Sequence, residues 1–499
     1  MGDRPPAGGM RSASYYKWLV LGTVGLGVLT STVDGSIVNI ALPEFGEIFD
    51  KDAGTVVWIS VIFLLSSVGL MLTLGSLGDV VGRKRVFLSG FAVFGLGLVG
   101  ASVSETFTQL LVARAVQGVG QALIISNGNA LVVAAFPPTE RGRALGLENA
   151  VVGVGLASGA PLGGLLLGAL GWQALFWTRI PFMAVFFVLG LLILQPDRKG
   201  MKRMQFDLLG AVTIFVAMST FILAINRGPK IGWTDPFVFG LLALAVFSTV
   251  SFLLAEKRAK VPVLELSLFK NRMFSFSNGA SALQFLSQGA IIILMPFFLQ
   301  DARSLSPFEA GMILITLPAS RLVAGPIAGW ASDKVAARSI TTIGLLVMTL
   351  AYFGLRTVGL DTPMVWLVVL LLVEGVGTSI FGPANNSAVM GSVPASYLGT
   401  ASGMIATVRQ TSQTTGLALS ATLFAAFQAT HELRLLGEGV AADVAERQAS
   451  SLGVQEVLTV MLVFLVAGTI ISALRGSDSP RIPDPVGNDP DRPQGARLD

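Results

Sequence analysis

Asp34 is the lone carboxylate in an otherwise apolar segment running from Trp18 to Pro43. An acid at membrane depth is costly, and such residues characteristically serve an ion or substrate pathway. Arg114 supplies an opposite charge inside another apolar run, at 107–135. Asp34 lies nine residues inside Pro43 and Arg114 about seven inside the start of its run, which is ~13 Å and ~11 Å along a helix. The two therefore come to one level. A buried arginine holds a nearby carboxylate ionised, and protonating the acid releases the arginine. That pair is either a coupling switch or a static contact that orients helix packing. Glu148, Arg321, Glu374 and Arg409 also fall at membrane depth. Glu148 belongs either to a loop network near Arg141 and Arg143 or to a cavity. Arg321 and Glu374 read as a structural pair or as a second functional acid with its partner. Asn386, with Asn385, Asn127 and Asn129, offers polar contacts to a cavity or to packing. Cysteine is absent and His431 is the only histidine, so thiolate and His-cluster metal chemistry and an imidazole relay are excluded.

The elements that must hold these residues are membrane helices. The 499 residues are 53% hydrophobic and 13% charged, with a mean hydropathy of +0.72; a soluble domain carries roughly a quarter charged residues. Long unbroken apolar runs fit helices, not alternating strands. Fourteen spans are expected, near 17–41, 54–77, 85–103, 107–135, 143–169, 173–195, 208–226, 236–255, 273–299, 309–331, 339–357, 363–390, 398–427 and 454–474. The longest outer connection is expected over 428–453, with His431 in it. Residues 1–16 carry no cleavable signal pattern, and the tail from Gly476 reads as disordered.

Lysine and arginine concentrate in alternate connections, at Arg83-Lys84-Arg85, at Arg141 and Arg143, and around residues 198–203 and 257–272. By the positive-inside rule both termini are cytoplasmic, in a cell (inner or plasma) membrane. A repeat displaced by 257 residues maps Gln117-Gly118-Val119-Gly120 onto Glu374-Gly375-Val376-Gly377, and Asn129 onto Asn386; Gly75 and Asp79 recur at Gly329 and Asp333. This duplication predicts an all-α polytopic protein with two pseudo-symmetric six-helix bundles, 17–195 and 273–475. A linker at 196–272 carries two inserted helices, between an N-terminal segment 1–16 and a tail 476–499. Parallel halves with a midplane site between them are a transporter plan.

The motifs give a family resemblance. Gly75, Asp79, Gly82, Arg83 and Lys84 resemble the loop signature of the major facilitator superfamily, which the resemblance makes a conformational latch echoed at Asp333. The stretch Val33–Pro43 resembles the helix-1 signature of the drug:proton antiporters. Leu111–Gly120 resembles their helix-4 signature, whose arginine the family implicates in proton relay. Gly155, Gly159, Pro161 and Gly164 resemble the helix-5 signature of exporters, with two departures: Ala160 stands where glycine is expected before the proline, and the glycine pair comes one residue early. The rival reading is a small-residue packing face. Arg179 stands where the family usually has asparagine. Of two readings, an altered outer mouth and a side chain that snorkels to the interface, the sequence favours snorkelling.

The resemblance, to the fourteen-helix branch over about 17–475, implies a proton-coupled antiporter exporting lipophilic, cationic drugs by alternating access. Export of a specific endogenous metabolite or lipid is the alternative, and a non-transporting receptor a remote one. No enzyme activity, cofactor other than the proton gradient, or metal is expected. The partners are a small lipophilic substrate, protons and the bilayer, with no nucleic acid, and the chain is expected to be a monomer.

Overall fold

The computed structural model describes residues 15–137, 140–195, 208–232, 234–258, 266–332, 336–393 and 398–476. The segments 1–14 and 477–499, Asp333, and the 196–207 and 259–265 connections, on which several expectations fall, lie outside the described residues.

Every described element is helical: α1 Tyr16–Asn39, α2 Leu42–Phe49, α3 Ala53–Val56, α4 Trp58–Val81, α5 Arg83–Ser102, α6 Phe107–Ala135, α7 Arg141–Leu170, α8 Ala174–Trp177 and α9 Ile180–Ile193. Then come α10 Leu208–Ile231, α11 Pro236–Arg258, α12 Arg272–Phe297 with a π-turn at Phe298–Ala302, α13 Pro307–Leu314, α14 Thr316–Ser332, α15 Ala337–Leu355, α16 Met364–Gly391, α17 Leu398–Gly437 and α18 Ala442–Leu474. Among the described residues, twelve helical segments are long and apolar enough to cross a membrane. Two expected spans are not among these twelve. In α10 the stretch with described side chains is Val212–Ile225, within a sequence that is apolar and uncharged throughout 208–225, whereas α17 carries the polar run Arg409-Gln410-Thr411-Ser412-Gln413-Thr414-Thr415.

Local signals set the starts. Thr106 caps α6, accepting from the Gln109 amide at 3.3 Å while Gln109 returns a bond to the Thr106 amide at 3.2 Å. Ser306 and Glu309 form the same capping box at α13, satisfying amides that have no intrahelical partner. Gly82 alone joins α4 to α5, at φ +116°, a backbone conformation that glycine adopts at no steric cost.

Helix packing reproduces the repeat. α6 lies between α4 and α5, where a Cβ on Gly118 would meet the Phe63 carbonyl at 2.3 Å and one on Gly120 the Phe94 amide at 2.5 Å. α16 lies likewise between α14 and α15, with Gly375 against Ser320 and Gly377 against Met348. The glycines of the sequence echo are points of close helix approach in each group, which places Gln117 and Glu374 at corresponding sites.

The polar loop expected over 428–453 is instead a helical hairpin. α17 continues to Gly437 and α18 starts at Ala442. His431 faces Glu456 across it, Nε2 to Oε1 3.0 Å, and Leu435, Ala445 and Ala449 make a small core. Alanine-rich, amphipathic sequence continues each helix past its apolar part.

Candidate functional site

The structure brings Asp34 and Arg114 together. Both are fully buried, and Arg114 donates from Nη1 to Asp34 Oδ2 at 2.5 Å. Arg114 also donates from Nε to the Ile59 carbonyl at 3.0 Å and from Nη1 to Gln117 Oε1, and its guanidinium lies over the Phe63 ring, 4.1 Å from the centroid. Three helices thus meet on one side chain: α1 through the acid, α4 through a carbonyl and a ring, and α6 as its own support.

Arg179 corrects the sequence reading. It does not snorkel to an interface: it is 6% exposed and donates from Nη1 to the other oxygen, Asp34 Oδ1. The short α8 explains the inward turn. Arg179 Nε bonds the Leu175 carbonyl at 2.7 Å, which folds the side chain back along its own chain and into the bundle. One carboxylate therefore stands between two cations, away from water, and the cluster carries a net positive charge. Nη2 of both arginines and Nε2 of Gln117 have no hydrogen-bond partner. The only sequence signal for Arg179 was its departure from the asparagine usual in the family.

The helix-5 glycines pack as small-residue contacts. A Cβ on Gly155 would lie 2.1 Å from Thr32 Oγ1, and one on Gly159 1.7 Å from Ser36 Oγ and 2.9 Å from the Val33 carbonyl. These contacts press α7 onto the turn of α1 that holds Asp34. The other face of α7 meets the second helix group: a Cβ on Gly164 would lie 2.3 Å from the Pro307 carbonyl oxygen, and one on Gly311 2.5 Å from the Ala160 carbonyl oxygen and 3.0 Å from Pro161 Cα. α7 stays helical through Pro161. Ala160, the departure from the signature, is thus a contact point between the groups.

At the latch, Gly82 makes the turn, and Arg83 reaches across to the Ala130 carbonyl of α6 at 3.3 Å. Lys84 donates to the Leu191 carbonyl at 2.9 Å and to that of Leu194, where the unpaired carbonyls of α9 favour a cation. Gly78 packs against Asn127, which donates to the Leu74 carbonyl at 3.1 Å; this asparagine ties helices together. Gly75 and Asp79 lie on α4 and Glu148 on α7, with their side chains outside the described residues, as is all of Asp333.

In the second group, Arg321 on α14 pairs with Glu374 on α16, Nη2 to Oε2 3.6 Å. Thr378 donates to Glu374 Oε1 at 2.9 Å. Arg409 makes no ion pair among the described residues and keeps exposed surface while lying deep in the bundle, so it borders open space between helices. Asn386 is exposed, whereas Asn385 is buried and donates to the Ser277 carbonyl at 3.2 Å.

An acid clamped between two buried arginines ties the helices that carry them to α1 by charge, and no metal-holding cluster stands among the described residues. The sequence profile of the Major Facilitator Superfamily matches residues 24–417. The chain belongs to that superfamily. It is 33% identical over 409 residues to a riboflavin transporter of Clostridioides difficile, 82% of this chain and 88% of that one. It is 29% identical over 424 residues to the tetracenomycin C resistance and export protein of Streptomyces glaucescens, 84% and 78% of the two chains. Among solved structures, a bacterial homologue of the human lysosomal transporter Spinster, in an inward-facing and unoccupied conformation, superposes with a TM-score of 0.68 at 16% identity, covering 93% of this chain and 97% of that one. This major facilitator protein is a polytopic membrane transporter, not an enzyme.

Proposed function

We propose that this transporter is a proton-coupled exporter of lipophilic compounds, working by alternating access. The observation that carries the proposal is the sealed Asp34–Arg114–Arg179 cluster, on the turn of α1 whose other side α7 grips. Protonating Asp34 removes the one negative charge between two buried arginines. They then repel each other and lose their partner, which changes the packing of α1, α6 and the start of α9 together. A ligand or proton shifts such an equilibrium only by its differential free energy between states, and a charge buried among helices gives that difference.

The helices form two six-helix bundles, 17–195 and 273–475, with α10 and α11 inserted between them. The reading counts as spans both α10, whose 208–225 stretch is apolar and uncharged throughout, and α17, which stands alongside other helices that shield its polar face, and this makes fourteen spans. Both termini are cytoplasmic, the protein is a monomer in a cell membrane, and the proton gradient drives it without a further cofactor or a nucleic-acid partner. Gln300 bonding the Ile40 carbonyl at 2.8 Å, with the Gly164–Pro307 and Gly54–Ala425 contacts, closes the outer end between the bundles. Cargo then loads from the cytoplasm or inner leaflet. Arg321, Arg409 and Asn386 would face it, and the Gly75–Lys84 turn would act as the latch.

A second reading, transport of a specific metabolite, is favoured by the relatedness to a riboflavin transporter and by the arginines of the second bundle. Proteoliposomes with an imposed pH gradient test both readings. Ethidium-driven proton flux in the wild type, lost in Asp34→Asn, supports drug antiport. Flux driven by riboflavin alone selects the second reading. Ethidium-driven flux that persists in Asp34→Asn removes Asp34 from the proton path.

A further inference from the structure

The two bundles hold their acids in opposite ways. Asp34 has an arginine on each oxygen. Glu374, at the repeat position of Gln117, is equally buried, yet only Oε1 is hydrogen-bonded, by Thr378. Its Oε2 has no hydrogen-bond partner, and the nearest cation, Arg321, stands 3.6 Å away, beyond hydrogen-bonding reach. The Arg321 side chain is itself 30% exposed, and its Nε has no partner. A proton can therefore add at Oε2 without breaking a hydrogen bond, and the arginine it displaces already borders open space.

The surroundings can receive the new O–H. Asn385 bonds the Ser277 carbonyl, which fixes the antiparallel register of α16 on α12. Eleven residues along each helix from that contact stand Glu374 and Gln288, about three turns away and on the same faces. Ser281 and Gln284 continue this stripe of α12. Gln284 and Gln288 are almost fully buried; neither end of the Gln284 amide has a partner, nor does Nε2 of Gln288. Unsatisfied buried amides are costly in lipid, and an amide oxygen is a competent acceptor for a protonated acid.

The other charges near Glu374 are few. α15 presents the Tyr352 hydroxyl, which donates to the Ser287 carbonyl at 2.6 Å and lies within electrostatic range of Glu374 and Arg321. α14 presents Arg321. The only charge on α12 is Arg272 at its start, and Arg409 on α17 makes no ion pair with Glu374. α16 itself has no other ionisable residue.

We propose that Glu374 is a second proton-binding site of this transporter, distinct from Asp34, whose occupancy decides whether Arg321 is held to α16 or released toward the space between the helices. The inference rests on the reading of the protein as proton-coupled and extends it to the C-terminal bundle.

The test is pH-difference infrared spectroscopy of the full-length transporter in lipid nanodiscs, reading the carbonyl stretch of protonated carboxylic acids. The wild-type band is expected to hold a component from each buried acid; Asp34→Asn is expected to keep the Glu374 component, and Glu374→Gln to lose it while keeping that of Asp34. Arg321→Gln, which leaves the acid without its cation, is expected to enlarge the band at neutral pH. Monodispersity and thermal unfolding check that each variant is folded; should Glu374→Gln fail to fold, the Arg321→Gln band decides alone. A band unchanged in Glu374→Gln, or absent from the wild type, overturns the proposal, and so does an Arg321→Gln band equal to that of the wild type. A band lost only in Asp34→Asn overturns it while leaving the Asp34 mechanism standing. Absence of ethidium- and riboflavin-driven proton flux in the wild type marks failure of the proton-coupled reading instead.

Discussion

Asp34 carries more of the fold than a coupling residue alone would. Removing one partner of a buried ion pair typically costs about 3–5 kcal/mol, because the other charge stays buried and unpaired. Asp34→Asn should therefore lower thermal stability in detergent by a loss of that order. Adding Arg179→Asn should recover part of it, since one unpaired cation then remains where there were two. A double-mutant cycle reads the coupling directly, and strict additivity of the two losses would mean that Arg179 and Asp34 do not interact. Outside the membrane, Glu44 on α2 behaves differently. Burial, reinforced by the nearby Glu47 charge, raises its carboxyl above the usual range. A raised carboxyl makes the folded state the stronger proton binder, so its cost applies at neutral pH and fades as pH falls through the folded value. Glu44→Gln should be neutral to stabilising near pH 7, with any gain vanishing in acid; a gain that grows in acid would contradict the assignment. The sequence disclosed the Asp34–Arg114 level by counting residues. It did not disclose Arg179, because a cation near a span end can turn to either side and only α8 decides which.

Helix α7 works through what it lacks. Gly155 and Gly159 present backbone to α1, and Gly164 presents backbone to Pro307. A side chain at Gly159 has the Val33 carbonyl, not a flexible chain end, within 2.9 Å, so α1 must move. Gly159→Leu is expected to remove transport while a protein of wild-type helicity is still made, as measured by uptake into vesicles beside circular dichroism. Full transport in that variant would remove α7 from the mechanism. The spacing of these glycines was readable, and so was the repeat that puts Gly118 and Gly375 at close crossings. The 428–453 segment was not, since polarity there signals exit from lipid equally well for a loop and for a helix that continues into water. Hydropathy also undervalued α17: a helix enclosed by α12, α16 and α18 can carry the Arg409–Thr415 run without facing lipid.

The seam between the two groups of helices closes one end of the molecule, and its parting is the motion that the proposed alternating access requires. Gly54 and Ala425 face each other across it, with Cβ atoms 3.4 Å apart once a Cβ is built on Gly54, close to the 3.5–4.5 Å usual in a disulfide. The chain has no cysteine of its own. Gly54→Cys with Ala425→Cys should therefore oxidise without background, stop transport, and regain it on reduction. Transport that continues in the oxidised pair would show that this seam does not open. The hairpin of α17 and α18 stands at the same end. Its helices have 40 and 33 residues, or ~60 and ~50 Å, against ~30 Å of hydrocarbon. A small membrane protein whose halves look alike is hard to orient in a single-particle image, because rotating it by half a turn barely changes its projection. This hairpin belongs to one half only. An antibody fragment raised against its helical tip would mark every particle asymmetrically and rigidly, and would let the two halves be told apart in images of the working transporter.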